Sequence, residues 1–70
     1  MPKLPVLSGG GLIAILKDLG FVVVRQKGSH VSLQKGQFKT VVPLHDDLAK
    51  GTILNILKQC GLSREEIVRK

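Results

Sequence analysis

The central part of the chain, residues 21–43, has the sequence FVVVRQKGSHVSLQKGQFKTVVP. Two short runs, 21–25 and 38–42, are rich in β-branched and aromatic residues, and in the run between them, 30–34, Val31 and Leu33 alternate with polar residues. The runs are separated by turns that each contain a glycine. Such runs between glycine turns are typical of β-hairpins. The segment therefore predicts three antiparallel strands, the last of which ends at Pro43, because proline has no N–H to donate to a sheet.

A helical pattern precedes the predicted strands. Ser8 is followed by apolar residues spaced three, four and seven apart, and Gly20 comes directly after the last of them. A polar residue before an apolar stripe and a glycine after it are typical of the two ends of a helix. The first helix is predicted to begin after Ser8 and to end at about Leu19. The three glycines at 9–11 are expected to weaken its first turn.

A second helical pattern follows the strands. Its apolar stripe runs over residues 53–60, Gly61 lies at its end, and residues 50–52 open it. This spacing predicts a second long helix. Residues 63–66, Ser-Arg-Glu-Glu, match a capping box and predict a short last helix over residues 64–68.

The predicted order is helix, three strands, helix and short C-terminal helix, which belongs to the α+β class. With a three-stranded antiparallel sheet and two main helices, economical packing places both helices on one face and leaves the other face open. A length of 70 residues predicts one domain over residues 1–70. It is too short for a doubly wound sheet or a (β/α)₈ barrel, so sites that depend on those folds are excluded.

The composition indicates the class of partner. The chain has 11 Lys or Arg against 5 Asp or Glu, a formal charge of +6 and a pI near 10.0. A strongly basic small domain favours a polyanionic partner, of which nucleic acid is the commonest, although such charge also serves solubility. No apolar run is long enough to cross a bilayer, so we expect no membrane partner. A single cysteine, Cys60, and the lack of a secretory signal at Met1 favour a cytoplasmic location.

One group of side chains combines the parts of a phosphodiester-cleaving site, Lys27-Gly28-Ser29-His30. Breaking RNA without a metal requires a base for the 2′-hydroxyl proton, an acid for the leaving oxygen and positive charge near the phosphate. Histidine transfers protons near neutral pH because its reference pKa is about 6.5. Alternation along the second strand places His30 away from the core. From these residues alone, an ordinary surface histidine remains the alternative interpretation.

A second histidine, His45, suggests a scheme with two imidazoles, one as base and one as acid. The favoured interpretation is instead a loop histidine that bonds to backbone near the second helix. The two histidines, Cys60 and the pair Asp46-Asp47 do not have the spacing of a metal site, and the two aspartates are expected to cap the second helix. We therefore predict neither a metal nor another cofactor.

Other basic residues are candidates for contacts with a polyanion. Lys50 opens the second helix, where free N–H groups and the helix dipole favour a phosphate. A solvated lysine at a helix end is an equally consistent interpretation. Arg25, Lys35 and Lys39 lie on or beside the sheet and are candidates to extend a surface for a nucleic-acid backbone. Cys60 falls on the apolar stripe of its helix, which favours a buried, inert thiol.

Several short motifs occur in a distinctive order along nearly the whole chain. They are Ser8-Gly9, Leu19-Gly20-Phe21, Lys27-Gly28-Ser29-His30, Val42-Pro43-Leu44-His45, Lys50-Gly51-Thr52 and Ile56-Leu57-Lys58-Gln59-Cys60-Gly61-Leu62. Together they resemble the HicA toxin family. Gly10-Gly11 departs from the resemblance, since many relatives have polar, better helix-forming residues there. That departure concerns helix stability rather than the site.

The resemblance implies a fold like that of the double-stranded-RNA-binding domain. It also implies a metal-independent endoribonuclease, an mRNA interferase that cleaves mRNA, inhibits translation and is silenced by a HicB-type antitoxin. It assigns His30 as the catalytic residue. Gly28 and Ser29 match the turn that presents the ring, and Lys27 matches the basic position before it. RNA and an antitoxin protein are thus the expected partners.

Two other functions remain open at this point. A non-catalytic RNA-binding module would use the same fold and charge to bind an RNA duplex by recognising its shape. An accessory role in DNA binding by a toxin–antitoxin complex is the third possibility. The first alternative predicts salt-sensitive RNA binding without strand scission.

Overall fold

A computed structural model describes residues 7–68 of the chain, apart from the side chain of Val68. The elements are α1 (Gly9–Asp18), β1 (Val22–Lys27), β2 (His30–Lys35), β3 (Phe38–Pro43), α2 (Lys50–Cys60) and α3 (Arg64–Val68). This order confirms the predicted α+β class with a three-stranded antiparallel sheet.

The start of α1 combines a polar cap with a close approach to the sheet. The Ser8 side-chain oxygen accepts a hydrogen bond of 3.0 Å from the Gly11 N–H, so Ser8 is the N-cap, as predicted. Gly9 is buried, and a Cβ added to it would overlap the carbonyl oxygen of Pro43 at the end of β3. The glycine that weakens the helix is therefore also what allows its first turn to lie directly against β3.

The sheet has the order β1-β2-β3, and both pairs are antiparallel. Two-residue turns, 28–29 and 36–37, connect the strands. The pairing of β1 with β2 shifts between Val23 and Arg25, which marks a β-bulge at Val24. In such a bulge two residues of one strand lie opposite a single residue of the other. Val24 and Arg25 therefore share Ser32 as their partner.

The two faces of the sheet have different environments. Alternate residues of β2 and β3 face the helices and are buried, whereas the residues between them are largely exposed. We call these the covered face and the open face. The buried core consists of Leu12, Leu16, Phe21, Val31, Leu33, Val42, Leu48, Ile53, Ile56, Leu57, Cys60 and Ile67. As predicted, one face of the sheet carries the core, and no helix of residues 7–68 packs on the other.

Both long helices run in the same direction along the covered face. The Gly9 N–H at the start of α1 donates to the His45 carbonyl, just beyond the end of β3. At the opposite end of the sheet, Lys35 Nζ donates to the Leu19 carbonyl at 2.7 Å. A Cβ on Gly61, which follows α2, would likewise meet the ring of Phe38 at that far end. Both helices therefore begin at the end of the sheet where β3 exits.

Two polar features of α2 complete the fold. Its N-cap is Ala49, which makes no side-chain capping bond. The expectation that Asp46 and Asp47 cap this helix is therefore wrong, because the chain bends at both residues before the helix begins. Near the end of α2, Gln59 accepts a 2.7 Å hydrogen bond from the hydroxyl of buried Thr40. This bond satisfies a polar group on the covered face.

One of the two hydrogen bonds of the predicted capping box is present at the start of α3. The Glu66 carboxylate accepts a 3.0 Å hydrogen bond from the Ser63 backbone N–H, so α3 begins where the motif predicts. Ile67 of this helix is buried and completes the core. Within the described part of the chain, no helix is long and apolar enough to span a lipid bilayer.

Candidate functional site

His30 is the first residue of β2 and is exposed. The pairing register places it between Lys27, the last residue of β1, and Pro43, the last residue of β3. Val31, the next residue, is buried in the core, so His30 lies on the open face, as alternation predicts. The imidazole is therefore accessible to a substrate and sits in the middle strand at one end of the sheet.

The turn before His30 is held in place from two sides. Gly28 has a φ of +60°, a left-handed conformation that glycine adopts without a Cβ penalty and that two-residue hairpins require. The side-chain amide of Gln26 donates to the Gly28 carbonyl at 3.3 Å. The Ser29 carbonyl accepts a 2.7 Å bond from the Leu44 N–H, which follows β3. These bonds fix the backbone that carries the imidazole.

Lys27 is the cation nearest to His30 in the strand pairing. The two residues are directly opposite each other, and Cβ atoms in such pairs lie about 5 Å apart on the same face. Lys27 is exposed, so its ammonium group is free to approach an anion bound near the ring. Ser29 is exposed in the turn between them and adds a hydroxyl to this group. The structure thus brings Lys27, Gly28, Ser29 and His30 together in one hairpin.

Lys50 lies in a different part of the chain but at the same end of the molecule. It opens α2, and the short loop after β3 leads directly to it. Because α1 also begins at this end, the positive ends of two helix dipoles lie at the end of the sheet that carries His30, although on the opposite face. The local field therefore favours an anion, although Asp46 and Asp47 in the connecting loop reduce the net positive charge.

His45 is also brought to this end of the sheet. The residue is exposed in the loop after β3, and its carbonyl accepts a 2.9 Å bond from the Gly9 N–H. This bond joins two backbone groups, so it is not the contact of the imidazole with backbone near α2 that the sequence predicts, and that contact stays a prediction. Within residues 7–68, no group of three or more His, Cys, Asp or Glu residues is placed to hold a metal ion.

The remaining basic residues divide between the two faces. Arg25 pairs with Ser32 and Lys39 pairs with Gln34, so both lie on the open face. The hypothesis that Lys35 extends this surface is wrong. Its ammonium group is bonded to the end of α1 and lies 6.0 Å from the ring centroid of Phe21.

One feature of the open face was missed from the sequence. Three successive valines, 22–24, begin β1, and a continuous β-branched run shows no alternation from which a face can be assigned. The bulge then places Val24 on the open face beside Ser32 and Val41, where the three residues line one cleft. In β3 the available sequence signal is the pair Val41-Val42, because adjacent residues of a strand face opposite sides and only one of the two can lie in the core.

Comparison with known families identifies a match over most of the chain. A family model described as the HicA toxin of bacterial toxin–antitoxin systems matches residues 11–62, which include the whole sheet and α2 and all but the start of α1. No curated protein sequence matches the chain. The matched span contains all five residues singled out above, Lys27, Gly28, Ser29, His30 and Lys50.

Proposed function

The chain belongs to the HicA toxin family of bacterial toxin–antitoxin systems, and on that premise we propose that it is a metal-independent endoribonuclease that cleaves mRNA and thereby inhibits translation. The observation that supports the proposal most is the exposure of His30 on the open face, directly opposite Lys27. A histidine beside a lysine on a basic, accessible surface has the groups needed to cleave a phosphodiester without a metal.

In the proposed reaction, an imidazole nitrogen of His30 takes the proton from a ribose 2′-hydroxyl. The resulting oxygen attacks the adjacent phosphorus, and the bond from phosphorus to the 5′-oxygen of the next nucleotide breaks. The departing 5′-oxygen takes up a proton from water, and the His30 imidazolium releases its proton to the solvent. One product then carries a 2′,3′-cyclic phosphate and the other a 5′-hydroxyl. None of these proton transfers requires a metal: His30 is the base and water is the acid.

The neighbouring residues supply charge and position. In this proposal Lys27, which pairs with His30 in the sheet, stabilises the negative charge that develops on the non-bridging oxygens. Gly28 and Ser29 form the turn that presents the imidazole, and the bond from Leu44 to Ser29 limits its movement. Lys50, at the start of α2, is the candidate for holding a phosphate farther along the RNA.

Membership of the family implies an antitoxin partner for this toxin. We propose that this partner is of the HicB type and that it acts by covering His30 and the basic residues around it. The charge of +6 favours an acidic inhibitor, because complementary charges speed association and exclude wrong partners.

The proposal is tested by incubating the purified protein with an end-labelled transcript in excess chelator. We expect fragments that carry a 2′,3′-cyclic phosphate, because no step requires a metal. A transcript that stays intact while it binds the protein with strong salt dependence would contradict the proposal. That result would indicate the non-catalytic RNA-binding module instead.

A further inference from the structure

A short row of side chains crosses the open face of the sheet next to His30. Val41 of β3 is opposite Ser32 of β2, and Ser32 is opposite the bulge that contains Val24. Val24 and Val41 are 56% and 47% exposed. With Ser32 and Lys39 they line an open cleft of about 490 Å³, whose lining also includes Leu33, Thr40 and Gln59 of α2. We call Val24, Ser32 and Val41 the valine row.

The valine row lies close to His30, the proposed catalytic residue, along β2. Ser32 follows His30 by two residues in β2, so both side chains lie on the same face, roughly 7 Å apart along the strand. Stacked nucleotides in one strand are separated by only about 3.4 Å. When one nucleotide is bound at His30, the base of the next nucleotide therefore reaches the valine row only if the two bases are not stacked on each other.

The chemistry of the row fits a nucleobase. A base has apolar faces and polar edges, and the row offers two exposed aliphatic side chains on either side of a hydroxyl. Arg25 shares the bulge with Val24, and its guanidinium group is of the kind that stacks on bases and binds phosphates. Lys39 lies one row farther from His30 and supplies a second cation. The positive side chains of Arg25 and Lys39 thus lie beside the apolar side chains of the valine row.

We propose that the valine row is a binding site for one unstacked base of single-stranded RNA, next to the phosphodiester that is cleaved at His30. This inference rests on the proposed ribonuclease function and adds a substrate class to it. A duplex would not use the row, because its bases are stacked and paired and it presents mainly phosphates and 2′-hydroxyls.

The test measures binding of an RNA analogue that cannot be cleaved. A single-stranded oligonucleotide with 2′-fluoro sugars lacks the attacking hydroxyl, and an abasic chain of the same length retains only the backbone. The variant is Val41→Ser, and the matched control is Val23→Ser. Val23 is 43% exposed, nearly as much as Val41, but it pairs with buried Leu33 on the covered face.

We expect Val41→Ser to raise the Kd for the base-bearing chain by about fivefold, because it removes apolar contact area, and to leave the Kd for the abasic chain unchanged. Val23→Ser should change neither. Equal effects of the two substitutions, or equal affinities of the unchanged protein for the two chains, would overturn the inference. So would a failure of the unchanged protein to bind the base-bearing chain. Because cleavage plays no part, this test can fail while the ribonuclease function stands, and the reverse also holds.

Discussion

The covered and open faces of the sheet are built from alternate residues of the same strands, yet they differ in almost every physical property. Leu33 and Val42 on the covered face are 1% and 0% exposed, whereas Val41, between Val42 and Thr40, is 47% exposed. The polar residues that combine into a candidate site, His30 and Lys27, lie on the open face. The same backbone therefore supports the core with one set of side chains and leaves the other set free.

The difference follows from the size of the domain. Within residues 7–68 both long helices pack on one face of the sheet, and no described element covers the second face. Antiparallel sheets tolerate this arrangement because one of their faces can contact water. Substitutions on the two faces should consequently have separable effects on stability and function.

The largest stability difference is expected between two neighbouring rows of the sheet. Leu33→Ala removes a side chain from the core and should lower the free energy of unfolding by about 2–5 kcal/mol. Val41→Ala changes an exposed side chain and should lower it by no more than about 0.5 kcal/mol. Urea unfolding followed by circular dichroism measures both values. Losses of equal size would show that the open face is covered in the folded protein.

The smallest expected effect is a pH dependence of stability that arises from the buried thiol of Cys60. Burial raises the pKa of Cys60 above its ordinary value of 9.0, and the hydrogen bond with Thr40 partly opposes the shift. The unfolded chain therefore loses this proton at a lower pH than the folded protein does. The contribution of the thiol to stability is present below pH 9.0 and is lost as the pH rises through the raised pKa.

This effect is measured as the difference in unfolding free energy between the unchanged protein and Cys60→Ala, from pH 7 to pH 10.5. Lysines titrate in both proteins, so their contribution cancels in the difference. We expect the difference to be constant near neutral pH and to shrink at the alkaline end. A constant difference over the whole range would contradict the burial of the thiol.

The sequence predicted the type and order of the elements because their periodicities are strong. The helix stripes that end at Leu19 and Cys60 and the alternation in β2 are local patterns, and local patterns report which face is buried. Alternation alone also predicted that His30 faces away from the core. Both glycine turns were predicted for the same reason, since their geometry depends on a few adjacent residues.

The features that the sequence did not predict depend on contacts between distant segments. Lys35 was considered as part of a nucleic-acid surface, but its side chain bonds to the end of α1, which lies 16 residues earlier in the chain. A Cβ on Gly9 would overlap Pro43, and both long helices begin at the end of the sheet that carries His30. These two features likewise arise only when the elements pack together. The bulge at Val24 leaves no sign in a run of three valines.

The most direct measurement compares the cleavage rate of an RNA transcript by the unchanged protein, His30→Ala and His45→Ala in excess chelator. Both histidines are exposed and lie at the same end of the sheet, so His45→Ala is a matched control for the loss of an imidazole. We predict that His30→Ala reduces the rate at least about 100-fold with unchanged stability and RNA affinity, while His45→Ala retains most of the activity. Cleavage by His30→Ala at the rate of the unchanged protein would contradict the account.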